Sequence, residues 1–266
     1  MTGDKMLYFT GDTHGSVDIR KLTSKNLRIN GIDITSKDHL VICGDFGLPF
    51  YPYDVIKGSQ TNGEYRFWTR FLADKKFTIL FVDGNHDNHA FWKEQKVSEW
   101  HGGKIHIHPD IPNAYHLMRG EVYEDVDGMN IFSFGGAASH DVEPVYIGSE
   151  CVRKGRTEGK TWWREETADE SEIENALRNL DKYNNQVDCI VTHTPPFSVL
   201  KDFFPERVVE TDRTAKFLDT VAEITEYGFW VCGHVHREYS VAKKKIIGLY
   251  NSIRSSEDIE NILSGI

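Results

Sequence analysis

Apolar runs of strand length that alternate with segments of helical period predict an α/β fold for this chain. Runs such as LVIC at 40–43 and TILFV at 78–82 are continuously apolar, as strands covered on both faces tend to be. Amphipathic stretches such as I-x-x-A-L-x-x-L at 173–180 fall between such runs. Alternation of the two patterns along a chain is what a layered α/β architecture produces.

In chain order, strands are predicted at 5–10, 39–43, 77–82, 104–108, 129–134, 187–192 and 229–232, with a hairpin through 239–250. Helices are predicted at 16–25, at 62–73, and at 87–99, where Asp87 would place a negative charge in the first turn, favoured by the helix dipole. Two more are predicted at 168–183 and at 211–225, the latter with Thr211 at its N-cap, and a short terminal helix at 255–266. The stretch 138–167 is polar and carries Trp162 and Trp163 near its end. A loop longer than about 15 residues in a compact domain usually has a function, so this one is expected to cap the site of a single domain spanning 1–266. The two tryptophans are expected to anchor it, with stacking on a nucleobase as the alternative.

Composition narrows the function classes. The 266 residues are 39% hydrophobic and 27% charged, as in ordinary globular proteins. The formal net charge of -10 gains nothing from a phosphate backbone, which speaks against a general nucleic-acid binder. Cations in a carboxylate-rich pocket would reverse that sign locally. No window approaches the roughly 18 apolar residues of a membrane span, so no membrane partner is expected. Cys43, Cys151, Cys189 and Cys232 form no C-x-x-C pair, and three lie in strand-like runs. They are expected to be buried, reduced thiols of a cytoplasmic protein without a secretory leader.

The chemistry is concentrated in five short segments, each where an apolar run ends at a turn. LYFTGDTHG carries Asp12 and His14, LVICGDFG carries Asp45, and ILFVDGNHD carries Asn85, His86 and Asp87. CIVTHTPP carries His193, and FWVCGHVH carries His234 and His236. Ligands of open α/β sheets bind outside the carboxyl ends of strands, so five such ends can converge. Carboxylate, imidazole and amide oxygen together suit divalent manganese, iron or zinc, and the absence of thiolate speaks against a closed structural zinc site.

GDTHG, GDFG, GNHD, THTPP and GHVH resemble, in order, the five motifs of the calcineurin-like metallophosphoesterases, spanning Gly11 to His236. FGGAASHD and TWWREE further resemble a bacterial subgroup of small members. The resemblance implies a four-layer α/β/β/α sandwich of two mixed sheets flanked by helices. It implies two divalent metal ions, with manganese expected and iron, zinc, cobalt or nickel as alternatives. Asp12, His14 and His236 would hold the first, Asn85, His193 and His234 the second, and Asp45 would bridge them. A metal-bridging hydroxide would attack a phosphomonoester or phosphodiester, with a nucleotide among the candidates, and His86 would be the general acid. One departure stands out. The protein-phosphatase branch has GD-x-x-D-R-G, whereas this chain has GDFGLPF, with Leu48 and Pro49 at the Asp and Arg places. The carboxylate that orients the catalytic histidine there is absent, and protein phosphatase activity is not expected.

Other histidines are weighed against plain structural roles. His106 and His108 in KIHIHPD share a strand face but lack a carboxylate motif, and are expected on the surface or a barrel face. His89 is expected to be exposed on a helix, and His140 is a candidate substrate-pocket residue. The basic run 243–245 is expected at a solvated sheet edge. Two other functions compete with hydrolysis of a small ester: a DNA or RNA nuclease, against which the acidic charge counts, and a catalytically silent scaffold of the same fold, which would be expected to have lost ligands.

Overall fold

The computed structural model describes residues 5–52 and 61–265. Two large mixed sheets dominate it. The first has seven strands in the order β15-β1-β2-β3-β6-β5-β4. These are β1 (Leu7–Thr10), β2 (His39–Ile42), β3 (Thr78–Phe81), β4 (Val97–Trp100), β5 (Gly103–His108), β6 (Ile111–Leu117) and β15 (Ile253–Ser255). The second has six in the order β13-β14-β12-β11-β8-β7. They are β7 (Glu121–Val126), β8 (Met129–Phe134), β11 (Gln186–Thr192), β12 (Glu226–Cys232), β13 (Tyr239–Val241) and β14 (Ile246–Gly248). A small hairpin, β9 (Val145–Ile147) with β10 (Glu150–Arg153), stands apart.

The two-residue period of the strands sorts their side chains into layers. Phe9, Val41, Cys43, Leu80 and Val82 of the first sheet meet Cys189, Val191, Phe229 and Val231 of the second in one buried core. The intervening residues Leu40, Ile42, Ile79 and Phe81 face the other way. There they pack on Leu27 of α1 (Ser24–Ile29), Trp68 and Leu72 of α2 (Thr61–Ala73), and Phe91 and Trp92 of α3 (His89–Lys93). The outer face of the second sheet, with Phe132, Phe134, Ile190 and Trp230, is covered by α4 (Glu170–Lys182), α5 (Phe197–Phe203) and α6 (Arg213–Ile224). The result is helix, sheet, sheet, helix, the four-layer order expected. Each fully buried aliphatic or aromatic side chain contributes about 1.5–3 kcal/mol, which is why continuous apolar runs become central strands.

Several elements differ from expectation. Strands β4, β6, β7 and β15 are additional. β4 (VSEW) and β7 (EVYEDV) carry charged residues, and sheet pairing rather than apolar content decides them. The predicted helix at 16–25 is turns and a short 3-10 segment, Ile19–Leu22, before α1, which Thr23 caps by accepting from the Asn26 amide. The helix predicted at 87–99 is only α3. Its cap is Asn88, whose side chain accepts from the Phe91 amide at 3.0 Å, and β4 follows because its residues pair with β5. Asp212, not Thr211, caps α6. The stretch 138–167 holds the β9–β10 hairpin and a 3-10 turn, Arg164–Glu166. Trp163 within it is buried at 4% exposure, in keeping with an anchor. α7 (Ser256–Ser264) begins at a Ser255–Asp258 capping box, while residue 266 of the predicted tail lies outside the described residues. Among the described residues no helix is long and apolar enough to cross a membrane.

Candidate metal centre

The parallel strands β1, β2 and β3 run in register, as do β11 and β12. Their carboxyl ends therefore bring the five motif turns together. The backbone there is bent hard. His14, Asp45, His234 and His236 all have positive φ, between 42° and 64°. Non-glycine residues are uncommon in that region and cost energy to hold there, so four such residues in one place mark a site whose side-chain directions outweigh local backbone preference. Gly84 shows the crowding: a Cβ there would land on the Asp45 carboxylate and backbone nitrogen.

Asp45 sits at the centre, 1% exposed. Its Oδ2 is 3.1 Å from His14 Nε2, and its Oδ1 is 3.4 Å from His193 Nε2. On one side of it, ligand atoms of Asp12, His14, Asp45 and His236 all lie within 4.8 Å of one another. Asp12 Oδ2 is 3.0 Å from His236 Nε2. On the other side, Asn85 Oδ1 is 3.1 Å from both His193 Nε2 and His234 Nδ1, and those two nitrogens are 3.2 Å apart. All seven residues predicted as ligands are thus assembled around one carboxylate.

The donors are aimed by neighbours. His14 Nδ1 is 2.7 Å from Asp18 Oδ2, turning Nε2 into the cluster. His193 Nδ1 donates to the Cys43 carbonyl at 2.9 Å, again leaving Nε2 inward. Such outer partners fix the tautomer and ring orientation of metal-binding histidines. Asp12 Oδ2 and Asp45 Oδ2 are buried without a hydrogen-bond partner. Two orphaned anionic oxygens among imidazole nitrogens are costly unless a cation answers them, and the donor set fits borderline divalent ions. Electrostatics agree. Burial alone would lower the His14 pKa, but the close approach of the Asp45 carboxylate and the charges of Asp45 and Asp12 raise it to about 10. Burial opposes ionisation of Asp45, yet His193, His86 and His14 hold its carboxyl well below the usual range.

His86 lies beside this cluster with its backbone amide donating to Asp45 Oδ1 at 2.7 Å. Its ring meets that of His14 edge-on at 5.2 Å. Burial first, then Arg156 and His14, bring its pKa down to about 4 against the attraction of Asp45. Asp87 does not orient it. The Asp87 carboxylate accepts from the amides of Phe46, Gly47 and Gly84 and pins the Asp45 turn to the Asn85 turn.

Arg156, unmarked by any motif, is the neighbour of His86. Its side chain is 9% exposed. Nη2 lies 2.7 Å from His86 Nε2, Nη1 is 3.1 Å from Ser139 Oγ, and Nε is 2.7 Å from Asp141 Oδ1. Arg156 thus brings the 138–167 stretch within hydrogen-bond distance of His86. His140 is exposed, next in the chain to Ser139, which accepts from Asn85 Nδ2 at 3.2 Å. The Asp18 partner of His14 was visible as an i,i+4 pair; Arg156 had no comparable local signal.

The remaining histidines correct their expected exposure. His106, His108 and His89 are 7%, 0% and 6% exposed. β5 is an interior strand, so His106 meets His116 (Nδ1 to Nδ1, 3.1 Å), and His108 donates to the Leu48 carbonyl at 3.0 Å. His89 donates to the Gly84 carbonyl at 3.1 Å. Behind them Asp83, just before the Asn85 turn, pairs with Arg119, whose Nε is 3.0 Å from Oδ2.

A family model described as calcineurin-like phosphoesterase matches residues 6–238. Comparison with curated proteins finds no relative. Among solved structures, a Staphylococcus aureus protein provisionally named a 5'-nucleotidase, in complex with alpha-ketoglutarate, aligns at 15% identity with a TM-score of 0.43. The alignment covers 92% of this chain and 48% of that one.

Proposed function

This chain belongs to the calcineurin-like phosphoesterase family, and from that premise we propose that it hydrolyses small phosphate esters at a dinuclear metal site. The observation that carries the reading is Asp45, with one carboxylate oxygen toward His14 Nε2 and the other toward His193 Nε2. Asp12, His14 and His236 would hold one ion, Asn85, His193 and His234 the other, and Asp45 both. Manganese is the proposed metal, and the same nitrogen and oxygen donors accept iron, zinc, cobalt or nickel. When bound, two divalent ions supply positive charge at the phosphoryl oxygens and make water a usable nucleophile near neutral pH.

The chain's own groups do the rest. Asp18 and the Cys43 carbonyl keep the His14 and His193 rings aimed. Arg156 brings a guanidinium beside the cluster, where it would bind a phosphoryl oxygen and steady His86. We propose His86, whose ring lines the space beside the cluster, as the group that gives a proton to the departing alcohol oxygen; with a pKa of about 4 in the free protein, it would take up that proton when the phosphate ester brings its negative charge. A general acid of this kind contributes about 10²–10⁴ in rate. The four free cysteines, three of them buried, support a reducing compartment such as the cytoplasm.

The test is hydrolysis of p-nitrophenyl phosphate and bis-(p-nitrophenyl) phosphate by metal-stripped protein, with and without manganese, alongside metal content per chain. Metal-dependent turnover with two ions per chain is expected, and Asp45→Asn should lower both metal content and, by about a hundredfold or more, kcat/KM. Full loading of Asp45→Asn would remove Asp45 from the bridging role.

A further inference from the structure

A cavity of about 500 Å³ opens beside the metal ligands, and its wall differs in chemistry from the cluster itself. His14, His86 and His236 form its inner side. Phe50, Tyr51, Tyr65, Trp68 and Tyr250 are among the residues that form the rest. The volume falls in the about 300–1,000 Å³ range of small-molecule pockets and exceeds what a phosphoryl group alone requires. We propose that this cavity is the leaving-group subsite, and that it selects esters of an uncharged alcohol bearing a flat apolar ring. The inference rests on the hydrolase reading above and adds the substrate class to it.

Three observations converge. His86, the candidate proton donor, is on the wall, so an ester oxygen within its reach directs its alcohol into this space. Ring faces are already presented there. Phe50 lies 6.0 Å from the His86 ring, and Tyr250 stacks on His236 at 4.9 Å and 18°. Aromatic pairs contribute beyond their buried area when offset or edge-on. Finally, the charged side chains on the described wall, apart from the histidines, are Asp18 and Glu64, both acidic, with no Lys or Arg among them. Asp18 is engaged by His14, and Glu64 is exposed. A leaving group carrying further phosphates would meet repulsion here, whereas Arg156, the cation beside His86, is not part of this wall. The site thus divides into a cationic half for the phosphoryl group and an aromatic half for the alcohol.

Benzyl phosphate and ethyl phosphate test this, because their alcohols are similarly acidic and differ in the ring. With manganese-loaded protein, kcat/KM for the benzyl ester should exceed that for the ethyl ester at least tenfold. In Phe50→Ala and Tyr51→Ala that ratio should fall at least fivefold; a ratio is insensitive to any loss of folded protein. The non-hydrolysable benzylphosphonate should likewise bind at least tenfold more tightly than ethylphosphonate in calorimetry. Equal kcat/KM for the two esters, or a ratio unchanged in both variants, overturns the subsite. Tighter benzylphosphonate binding without turnover of either ester keeps the subsite and removes the hydrolase reading instead.

Discussion

Arg156 lies with its Nη2 2.7 Å from Nε2 of His86, although the two are 70 positions apart along the chain. The guanidinium is held from behind by Asp141 and Ser139. This contact ties the long 138–167 segment to the residue that lies beside Asn85, a proposed metal ligand.

Arg156→Gln should therefore reduce kcat/KM by about tenfold to a hundredfold, the equivalent of a charge-assisted hydrogen bond of roughly 1.5–3 kcal/mol. Metal content should not change. Arg156→Lys should restore only part of the loss, since an ammonium cannot span the several partners of a planar fork. Steady-state kinetics with metal analysis decides; loss of metal in Arg156→Gln would assign the residue to scaffolding instead.

His86→Ala should leave metal content intact and slow poor leaving groups far more than good ones. For an alkyl ester the loss should approach the 10²–10⁴ of general-acid catalysis, while p-nitrophenyl phosphate, whose alcohol departs without help, should lose much less. A uniform loss across a leaving-group series would exclude His86 as the proton donor.

Gly84→Ala tests the crowding of the site without replacing any of the proposed ligands. Its new methyl would strike the Asp45 carboxylate and backbone nitrogen, and overpacking of this kind typically costs about 1–3 kcal/mol. Metal titration should show weakened loading, with the thermal unfolding of metal-free protein falling by a few degrees. Normal loading would mean that the β3 turn can shift away from Asp45.

Glu166 should make stability pH-dependent. Burial raises its pKa to about 7 in the folded protein, against the hydrogen bonds from Ser139. The folded state then holds its proton more tightly than the unfolded chain, so stability is present at low pH and is lost as pH rises from about 4.5 to about 7. At about 1.4 kcal/mol per tenfold change in proton affinity, the loss is roughly 3 kcal/mol. Urea unfolding at pH 5 and pH 8 should show the wild-type chain losing stability relative to Glu166→Gln as pH rises, a difference from which the opposite contribution of buried histidines such as His86 cancels. Identical profiles would show that Glu166 is not the titrating group.

The sequence alone determined the layered α/β class and the six residues that meet around Asp45. Both are local in origin. A strand covered on both faces must be apolar throughout, and a ligand at its end must follow directly at a turn, so runs such as LVIC-GD and ILFV-DGNH carry the pattern within ten residues. Only the tertiary structure decided the rest. β4 and β7 are strands because a neighbour completes their hydrogen bonds, which their charged residues do not announce. His106, His108 and His89 are buried because β5 and α3 face inward. Asp87 braces two turns through backbone amides from the Asp45 and Asn85 segments. Arg156 meets His86, and aromatic side chains from distant segments enclose one cavity, through contacts between residues far apart in the chain. Periodicity reports how each element divides solvent from core; it carries no information about which distant side chain will occupy the space beside a given turn.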